Sequence, residues 1–196
     1  MVADIVEAAI HVLKSEGVDR FTTIRVAERA KVSVGSLYRY FPNREALLAR
    51  IHRAKYTATV EQAEKLVADP QLSPLEGFGK ALVSVFPKDE EEAAFRKALR
   101  DARELLLRDD PEIRSEKTET QKRAVAFFQK VLPSAGESEV AFMAEFVRTA
   151  AHAMVEEVTK RKLSPYESER WATATADMIC LFIASARSNH PPRAGD

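Results

Sequence analysis

Residues 21–41 read FTTIRVAERAKVSVGSLYRYF, and this stretch decides how the rest of the chain is interpreted. Small and apolar residues recur three and four apart in its first half, with Val26 and Ala30 on one face. Leu37 is placed to anchor a second short segment, and Ser33 is placed to cap it. The stretch therefore predicts two short helices joined by a tight turn.

The predicted second helix has an outer face that combines small residues, an arginine and two tyrosines. Its members are Val34, Gly35, Ser36, Tyr38, Arg39 and Tyr40. Such a mixture suits a helix that enters the major groove of DNA.

Further candidates stand at predicted helix N-termini, where hydroxyl, amide or guanidinium groups can join backbone N–H groups in holding phosphate. This second set is Thr22, Thr23, Arg25, Asn43 and Arg44. Taken singly, each has a plainer interpretation, such as a half-buried aromatic for Tyr38 or a solvated charge for Arg44. Their joint spacing favours DNA binding.

The composition excludes several classes of protein. Of 196 residues, 45% are apolar, which is enough for a core, and the single cysteine, Cys180, cannot form an internal disulfide. The 30 basic and 30 acidic residues balance, but residues 1–56 hold 10 basic and 6 acidic side chains. That excess agrees with a nucleic-acid-binding head and also arises by chance. Residues 178–184 are too short an apolar stretch to cross a bilayer, and the start shows no secretory signal, so we expect a cytoplasmic protein.

Prolines divide the rest of the chain into segments of helical length with apolar residues three and four apart. Ser73-Pro74 and Ser164-Pro165 each supply a capping hydroxyl and a proline at the first helical position. Because no alternating β-branched stretch is found, we predict an all-α fold of about nine helices. The predicted parts are a helix-turn-helix DNA-binding domain at 1–48, a helical ligand-binding and dimerisation domain at 49–188, and a disordered tail at 189–196.

Residues 5–51 resemble the N-terminal DNA-binding domain of the tetracycline-repressor (TetR) family. The resemblance is carried by the stretch quoted above, including LYRYF at 37–41, and by NREALL at 43–48. It implies phosphate contacts by Thr22 and Thr23, base reading by Ser33, Val34, Gly35 and Ser36, backbone contacts by Tyr38 and Arg44, and a base or phosphate contact by Tyr40. Two features depart from the family pattern. Lys31 stands where the family usually has glycine. Most members also carry a basic arm before the first helix, whereas this sequence begins almost at that helix, so either the arm is missing or the sequence is truncated at its start.

The long C-terminal helices are predicted to pair two copies of the chain. Residues 138–161 and 166–186 are apolar over more of their circumference than one subunit can bury. We expect a homodimer, and the resemblance implies that the last two long helices of each copy form a four-helix bundle. A monomer with a thick core is the alternative.

The resemblance also implies that the middle helices enclose a small-molecule site. The candidate lining residues are Phe95, Leu99, Phe127, Phe128, Met143, Phe146, Arg148, His152 and Trp171. For each of them singly, core packing is the alternative. Gly77 and Gly79 are expected to loosen the helix that carries them.

Together these features predict a ligand-responsive transcriptional regulator. We expect a repressor whose partners are a palindromic operator in double-stranded DNA, a small-molecule effector that releases it, and a second copy of the chain. The sequence has no metal-spaced histidine cluster, no glycine-rich phosphate loop and no nucleophile motif, so we expect neither catalysis nor a cofactor. The alternative is an all-helical small-molecule binder or enzyme whose N-terminal helices only pack or contact protein.

Overall fold

The computed structural model describes residues 1–107 and 110–189, and in these ranges every regular element is an α-helix. The helices are α1 Val2–Glu16, α2 Thr23–Ala30, α3 Val34–Tyr38, α4 Arg44–Val67, α5 Pro74–Ser84, α6 Glu90–Leu106, α7 Pro111–Val131, α8 Glu137–Lys160 and α9 Pro165–Asn189. The predicted all-α fold is confirmed for the described residues, while positions 190–196 of the predicted tail lie outside them. None of the described helices combines the length and the apolar composition that a membrane span requires.

The predicted helix starts are fixed by side-chain caps. Ser73 Oγ accepts a hydrogen bond from the N–H of Glu76 (3.2 Å), and the Glu76 carboxylate accepts one from the N–H of Ser73 (2.8 Å). Ser164 and Glu167 form the same reciprocal pair at the start of α9. Asp110 Oδ1 accepts hydrogen bonds from two backbone N–H groups in the first turn of α7. Each cap satisfies N–H groups that a helix start otherwise leaves without a partner.

The chain forms two compact units, and the first consists of residues 1–59 and 89–114. Helix α1 supplies the centre of its core with Ile5, Ala8, Ala9, Val12 and Leu13. Helix α6 packs on α1 and adds Phe95, Ala98, Leu99, Ala102 and Leu106. Val26 and Leu37, both fully buried, attach α2 and α3 to the same cluster.

This first unit differs from the predicted division of the chain at residue 48. Ala49 and Ile51 of α4 are buried in its core, and α6 belongs to it although α6 falls in the predicted second domain. The apolar stripe of α1 needs cover on more than one side, and α6 supplies part of that cover. Helical periodicity indicates that α6 has an apolar face but not which helix covers it.

The second unit consists of residues 60–88 and those from 115 onward. Its larger core cluster joins α5, α7, α8 and α9, with Phe128, Met143 and Ile183 almost completely buried. A smaller cluster forms around Phe86 and Val158.

Gly77 lies at a close contact between α5 and the C-terminal end of α4. A Cβ atom at this position would lie 2.4 Å from the Leu66 carbonyl oxygen and 3.0 Å from Val67 Cα, both backbone atoms. Glycine therefore allows the two helices to pack, which is a different role from the loosening of α5 that the sequence suggested.

Lys31 ends α2 in the left-handed conformation, with φ 55° and ψ 38°. It is the only non-glycine residue with positive φ among those the structure describes. Its N–H donates to the Glu28 carbonyl at 3.1 Å, so the left-handed conformation is part of the helix C-cap. A change of this conformation would break the hydrogen bond.

We expect Lys31→Gly to raise the free energy of unfolding by about 0.5–1 kcal/mol, because glycine adopts this conformation without the Cβ conflict. Urea denaturation of the two proteins measures the difference. Lys31→Ala is the matched control, since it removes the charge and keeps the Cβ atom. Equal stabilisation by Ala and Gly would attribute the effect to the charge instead of the backbone.

His52 is a buried histidine of α4 in the first unit, 9% exposed. Burial lowers its pKa from 6.5 to about 4, and the positive charges of Arg103 and Arg53 act in the same direction, while Asp110 opposes them. The imidazole is therefore neutral in the folded protein at neutral pH. The unfolded chain takes up a proton below pH 6.5 that the folded chain resists, so stability falls as the pH is lowered from 6.5 towards about 4.

The wild-type protein should lose stability relative to His52→Gln as the pH falls. The full pKa shift corresponds to about 3 kcal/mol, and solvent screening of the two arginine charges reduces the expected loss to about 2 kcal/mol. Urea denaturation of both proteins between about pH 7 and about pH 4 measures this difference. All other titratable groups are the same in the two proteins, so their contributions cancel. A constant difference over that range would contradict the assignment.

Candidate nucleic-acid interface

The two short helices α2 and α3 are each started by a hydroxyl cap. Thr22 Oγ1 accepts a hydrogen bond from the N–H of Arg25 at 3.3 Å, and Ser33 Oγ accepts one from the N–H of Ser36 at 3.0 Å. Leu37 is the one buried residue of α3, and it has no exposed surface. Because α3 is held from that side, its other side faces away from the core.

The surface turned outward by α3 and the residues after it includes most of the predicted residues, but Val34 also packs partly against the core cluster of the first unit. Ser33, Gly35, Tyr38, Arg39 and Tyr40 are exposed, and Val34 and Ser36 are half-buried. Tyr38 and Tyr40 are 46% and 45% exposed, which is high for aromatic side chains. Helix α3 ends at Tyr38, and Arg39 directly after it still has right-handed helical dihedral angles, with φ −65° and ψ −26°.

Gly35 has no packing role within the described part of the chain. A Cβ atom there would approach only Ser33 Oγ, at 3.9 Å, so an alanine would fit. A glycine in a helix costs about 1 kcal/mol relative to alanine, and here no internal contact offsets that cost. The absence of a side chain instead leaves the face of α3 open to close approach from outside.

Thr23 and Tyr38 are joined by a hydrogen bond of 3.0 Å between their hydroxyl oxygens. Thr23 is only 7% exposed, so its hydroxyl is used inside the protein, whereas the ring of Tyr38 stays accessible. This contact fixes the direction of the tyrosine side chain. Thr22, the neighbouring predicted phosphate ligand, is exposed at the N-terminus of α2.

Arg25 forms an ion pair with Glu16 at the end of α1. The Arg25 side chain is 46% exposed, so the pair lies at the surface. Sequence reasoning did not anticipate Glu16, because its proximity to α2 depends on the turn at Gly17 and on how α1 packs. Arg39 makes no ion pair with any described residue and lies 3.4 Å from Ser36 Oγ through Nη2.

Asn43 and Arg44 begin α4 with different functions. Asn43 Oδ1 accepts a hydrogen bond from the N–H of Ala46 at 2.7 Å and caps the helix. Arg44 points inward, with Nε donating to the Phe21 carbonyl and Nη2 to the Val18 carbonyl. Both predicted phosphate ligands thus have structural contacts inside the first unit.

Ile24 is a further surface residue that the sequence analysis did not single out. It is 57% exposed on α2, directly after Thr22 and Thr23. An apolar side chain at the surface beside hydroxyl and guanidinium groups can contact sugar carbons or a thymine methyl group. The signal was available in the helical period, which places Ile24 on the side of α2 away from the buried Val26.

The structure does not bring the nine predicted ligand-site residues together. Phe95 and Leu99 are buried in the core of the first unit, whereas Phe127, Phe128 and Met143 belong to the core of the second. Phe127 stacks on Phe78 with the ring centroids 4.6 Å apart and meets Phe128 edge-on at 5.3 Å. These aromatic rings pack against one another in the core, in agreement with the core-packing alternative given for them above.

The remaining four candidates lie at other places in the second unit. Phe146 and His152 are exposed on α8, and the Arg148 guanidinium is paired with the Glu145 carboxylate at 2.6 Å. Trp171 packs on the smaller core cluster, with the Arg161 guanidinium 4.8 Å above its ring.

An open groove of about 560 Å³ runs along α7 in the second unit. Its lining residues are Thr118, Gln121, Lys122, Val125, Ala126, Gln129 and Glu145. The side-chain oxygen of Gln121 is buried there without a hydrogen-bond partner. None of these residues was predicted, because an orphaned amide oxygen has no signal in a sequence. No group of His, Cys, Asp and Glu side chains that could hold a metal ion occurs among the residues whose positions are described.

Comparison with known proteins gives a family match for the residues around α3. Residues 5–51 match the sequence model of the family described as bacterial regulatory proteins, tetR family. Residues 5–51 therefore carry the sequence pattern of the TetR family. The TetR match spans α1, α2, α3 and the first residues of α4, which are the elements that build the outward face.

Solved structures extend the likeness to nearly the whole chain. A candidate transcriptional regulator from Pseudomonas aeruginosa PAO1 aligns with a TM-score of 0.71 at 16% identity, over 96% of this chain and 93% of that one. A TetR-like transcriptional regulator from Rhodococcus sp. RHA1 aligns with a TM-score of 0.62 at 20% identity, over 95% of each chain. The fatty acid degradation regulator FadR from Bacillus halodurans aligns with a TM-score of 0.65 at 15% identity, over 93% and 97% of the two chains. The chain therefore has the fold of TetR-family transcriptional regulators. No curated protein matches the sequence significantly.

Proposed function

We propose that this protein is a transcriptional regulator that binds operator DNA as a homodimer and is released from it by a small molecule. The observation that carries the proposal is the exposed surface of Tyr38, Arg39 and Tyr40, held outward by the buried Leu37. The TetR-family match covers this surface. The protein acts in this proposal by binding and not by catalysis, and it acts in the cytoplasm, where bacterial operators are.

Contacts to DNA are divided between reading and positioning. Helix α3 offers Val34, Gly35 and Ser36 to base edges in the major groove, where small side chains permit close approach. Tyr38, Tyr40 and Arg39 flank them and face the phosphate backbone, together with Thr22 at the start of α2. In a two-fold dimer, two such surfaces meet successive major grooves about 34–36 Å apart or a multiple of that distance.

Dimerisation is supported by an apolar patch on the second unit that is exposed among the described residues. Its large members are Phe142, Phe146, Met178, Leu181 and Phe182, which are between 37% and 71% exposed. Phe146 contacts Phe142 and Phe182 with ring centroids 5.7 and 5.0 Å apart, so α8 and α9 contribute to one continuous surface. A patch of this kind marks a protein interface, and a second copy of the chain presents the same patch.

Effector binding is proposed for the second unit. The groove along α7 has a volume in the range of small-molecule sites and combines Val125 and Ala126 with polar groups. A ligand that donates a hydrogen bond would satisfy the oxygen of Gln121. The groove therefore replaces the dispersed aromatic residues as our preferred place for the effector.

Arg39→Ala should weaken binding to a DNA duplex selected from a randomised pool by the wild-type protein. Loss of one phosphate contact lowers the slope of log affinity against log salt by about one. Fluorescence anisotropy at several salt concentrations measures both quantities. Arg50→Ala, which removes an exposed arginine of α4, is the control with the same change of charge and should leave the slope unchanged. If the wild-type protein selects no duplex at low salt, the proposed function is wrong.

Phe146→Glu should convert the dimer to a monomer, because it places a charge in the centre of the apolar patch. Light scattering coupled to size-exclusion chromatography measures the molar mass. Leu105→Glu is the matched control, since Leu105 is 49% exposed on α6, outside the patch. A wild-type protein that stays monomeric at high concentration would contradict the assignment of this patch.

A further inference from the structure

Arg44 directs two of its three guanidinium nitrogens at carbonyl groups of the first unit, and its side chain is 31% exposed. Its Nε donates to the carbonyl oxygen of Phe21 at 2.8 Å, and its Nη2 donates to that of Val18 at 2.5 Å. Nη1 lies 3.7 Å from a carboxylate oxygen of Glu45. The three nitrogens of one guanidinium group are thus directed at groups of the protein itself.

The two carbonyl groups belong to buried residues. Phe21 is 1% exposed and Val18 is 7% exposed. The Val18 carbonyl also accepts the N–H of Phe21, but the Phe21 carbonyl accepts no second hydrogen bond from any described residue. Turning Arg44 towards an external phosphate would leave a buried carbonyl without a partner, which is unfavourable.

The segment that Arg44 holds leads directly into the DNA-binding surface. Residues 17–22 connect α1 to α2, and Phe21 is followed by Thr22, the residue that caps α2. Fixing the Phe21 carbonyl therefore fixes where the N-terminus of α2 stands relative to the start of α4. Sequence resemblance assigns Arg44 to the DNA backbone, whereas its contacts assign it to this connection.

We propose that Arg44 is a positioning residue, which ties residues 17–22 to α4 and so sets the place of Thr22 on the DNA-binding surface, and that it is not a phosphate ligand. This inference rests on the proposed function. The guanidinium groups of the LYRYF and NREALL stretches then have different roles, because Arg39 faces outward and Arg44 faces inward.

Arg44→Lys distinguishes positioning from phosphate binding. Lysine carries the same positive charge and can contact a phosphate, but its single ammonium group cannot reproduce the fork that reaches two carbonyl groups. A phosphate ligand would therefore tolerate lysine, and a two-carbonyl clamp would not.

The experiment measures affinity and salt slope for the selected duplex with wild type, Arg44→Lys, Arg44→Ala and the control Arg50→Ala. We expect both Arg44 variants to bind about tenfold more weakly or worse, to similar extents, with the wild-type salt slope. Wild-type affinity for Arg44→Lys, together with a slope reduced by about one in Arg44→Ala, would establish a phosphate contact and overturn the proposal. Unchanged affinity in both variants would overturn it as well, since the contact would then be structural only.

Hydrogen exchange supplies a second measurement that needs no DNA. Amides of residues 17–23 should exchange faster in Arg44→Lys and Arg44→Ala than in the wild type, while amides of α8 and α9 keep their protection. Unchanged exchange at residues 17–23 in the lysine variant would overturn the clamp. This readout still decides the role of the Arg44 contacts if the wild-type protein selects no duplex, a result that would overturn only the proposed function.

Discussion

The burial of Leu37 is the contact on which the DNA-binding surface depends. Helix α3 has five residues, and a helix of that length is not stable by itself in water. Leu37 is its one buried side chain, and the cluster around α1 receives it. Val34 also packs partly against this cluster, and Gly35 and Tyr38 are left exposed. The apolar contacts on one side of α3 thus both support the helix and determine which of its residues a partner can reach.

Hydrogen bonds within the first unit then set the directions of the surface side chains. The Thr23 hydroxyl holds the ring of Tyr38, the Ser33 hydroxyl starts α3, and the Glu16 carboxylate holds Arg25. Such contacts reduce the number of conformations that a side chain must give up when it binds, so less conformational entropy is lost at that step. The same contacts make several residues serve the fold and the surface together. A substitution at Thr23 or Tyr38 therefore changes the position of its partner as well as its own contact.

The sequence predicted the elements and the outward face of the N-terminal domain, because those depend on local signals. Caps such as Ser33, Ser73 and Ser164 and the spacing of Val26, Ala30 and Leu37 are local, and the structure has helices where they predict them. The placement of α6, the inward direction of Arg44 and the ion pair with Glu16 depend on contacts between distant segments. The predicted ligand residues are divided between two core clusters for the same reason. An apolar face is periodic in sequence, but the period does not reveal which helix covers it.

The net positive charge of the N-terminal segment is larger than the positive charge that is available to contact a phosphate backbone. Among the basic residues near α3, Arg25 is paired with a carboxylate and Arg44 donates to carbonyl groups, whereas the exposed Arg29, Lys31 and Arg39 have no ion-pair partner in the described part of the chain. Fewer available cations mean fewer counterions released from DNA and a shallower dependence of affinity on salt. In the proposed complex, binding then draws also on the fit of α3 in the groove, where Gly35 allows close approach, and on the doubling of contacts in the proposed dimer.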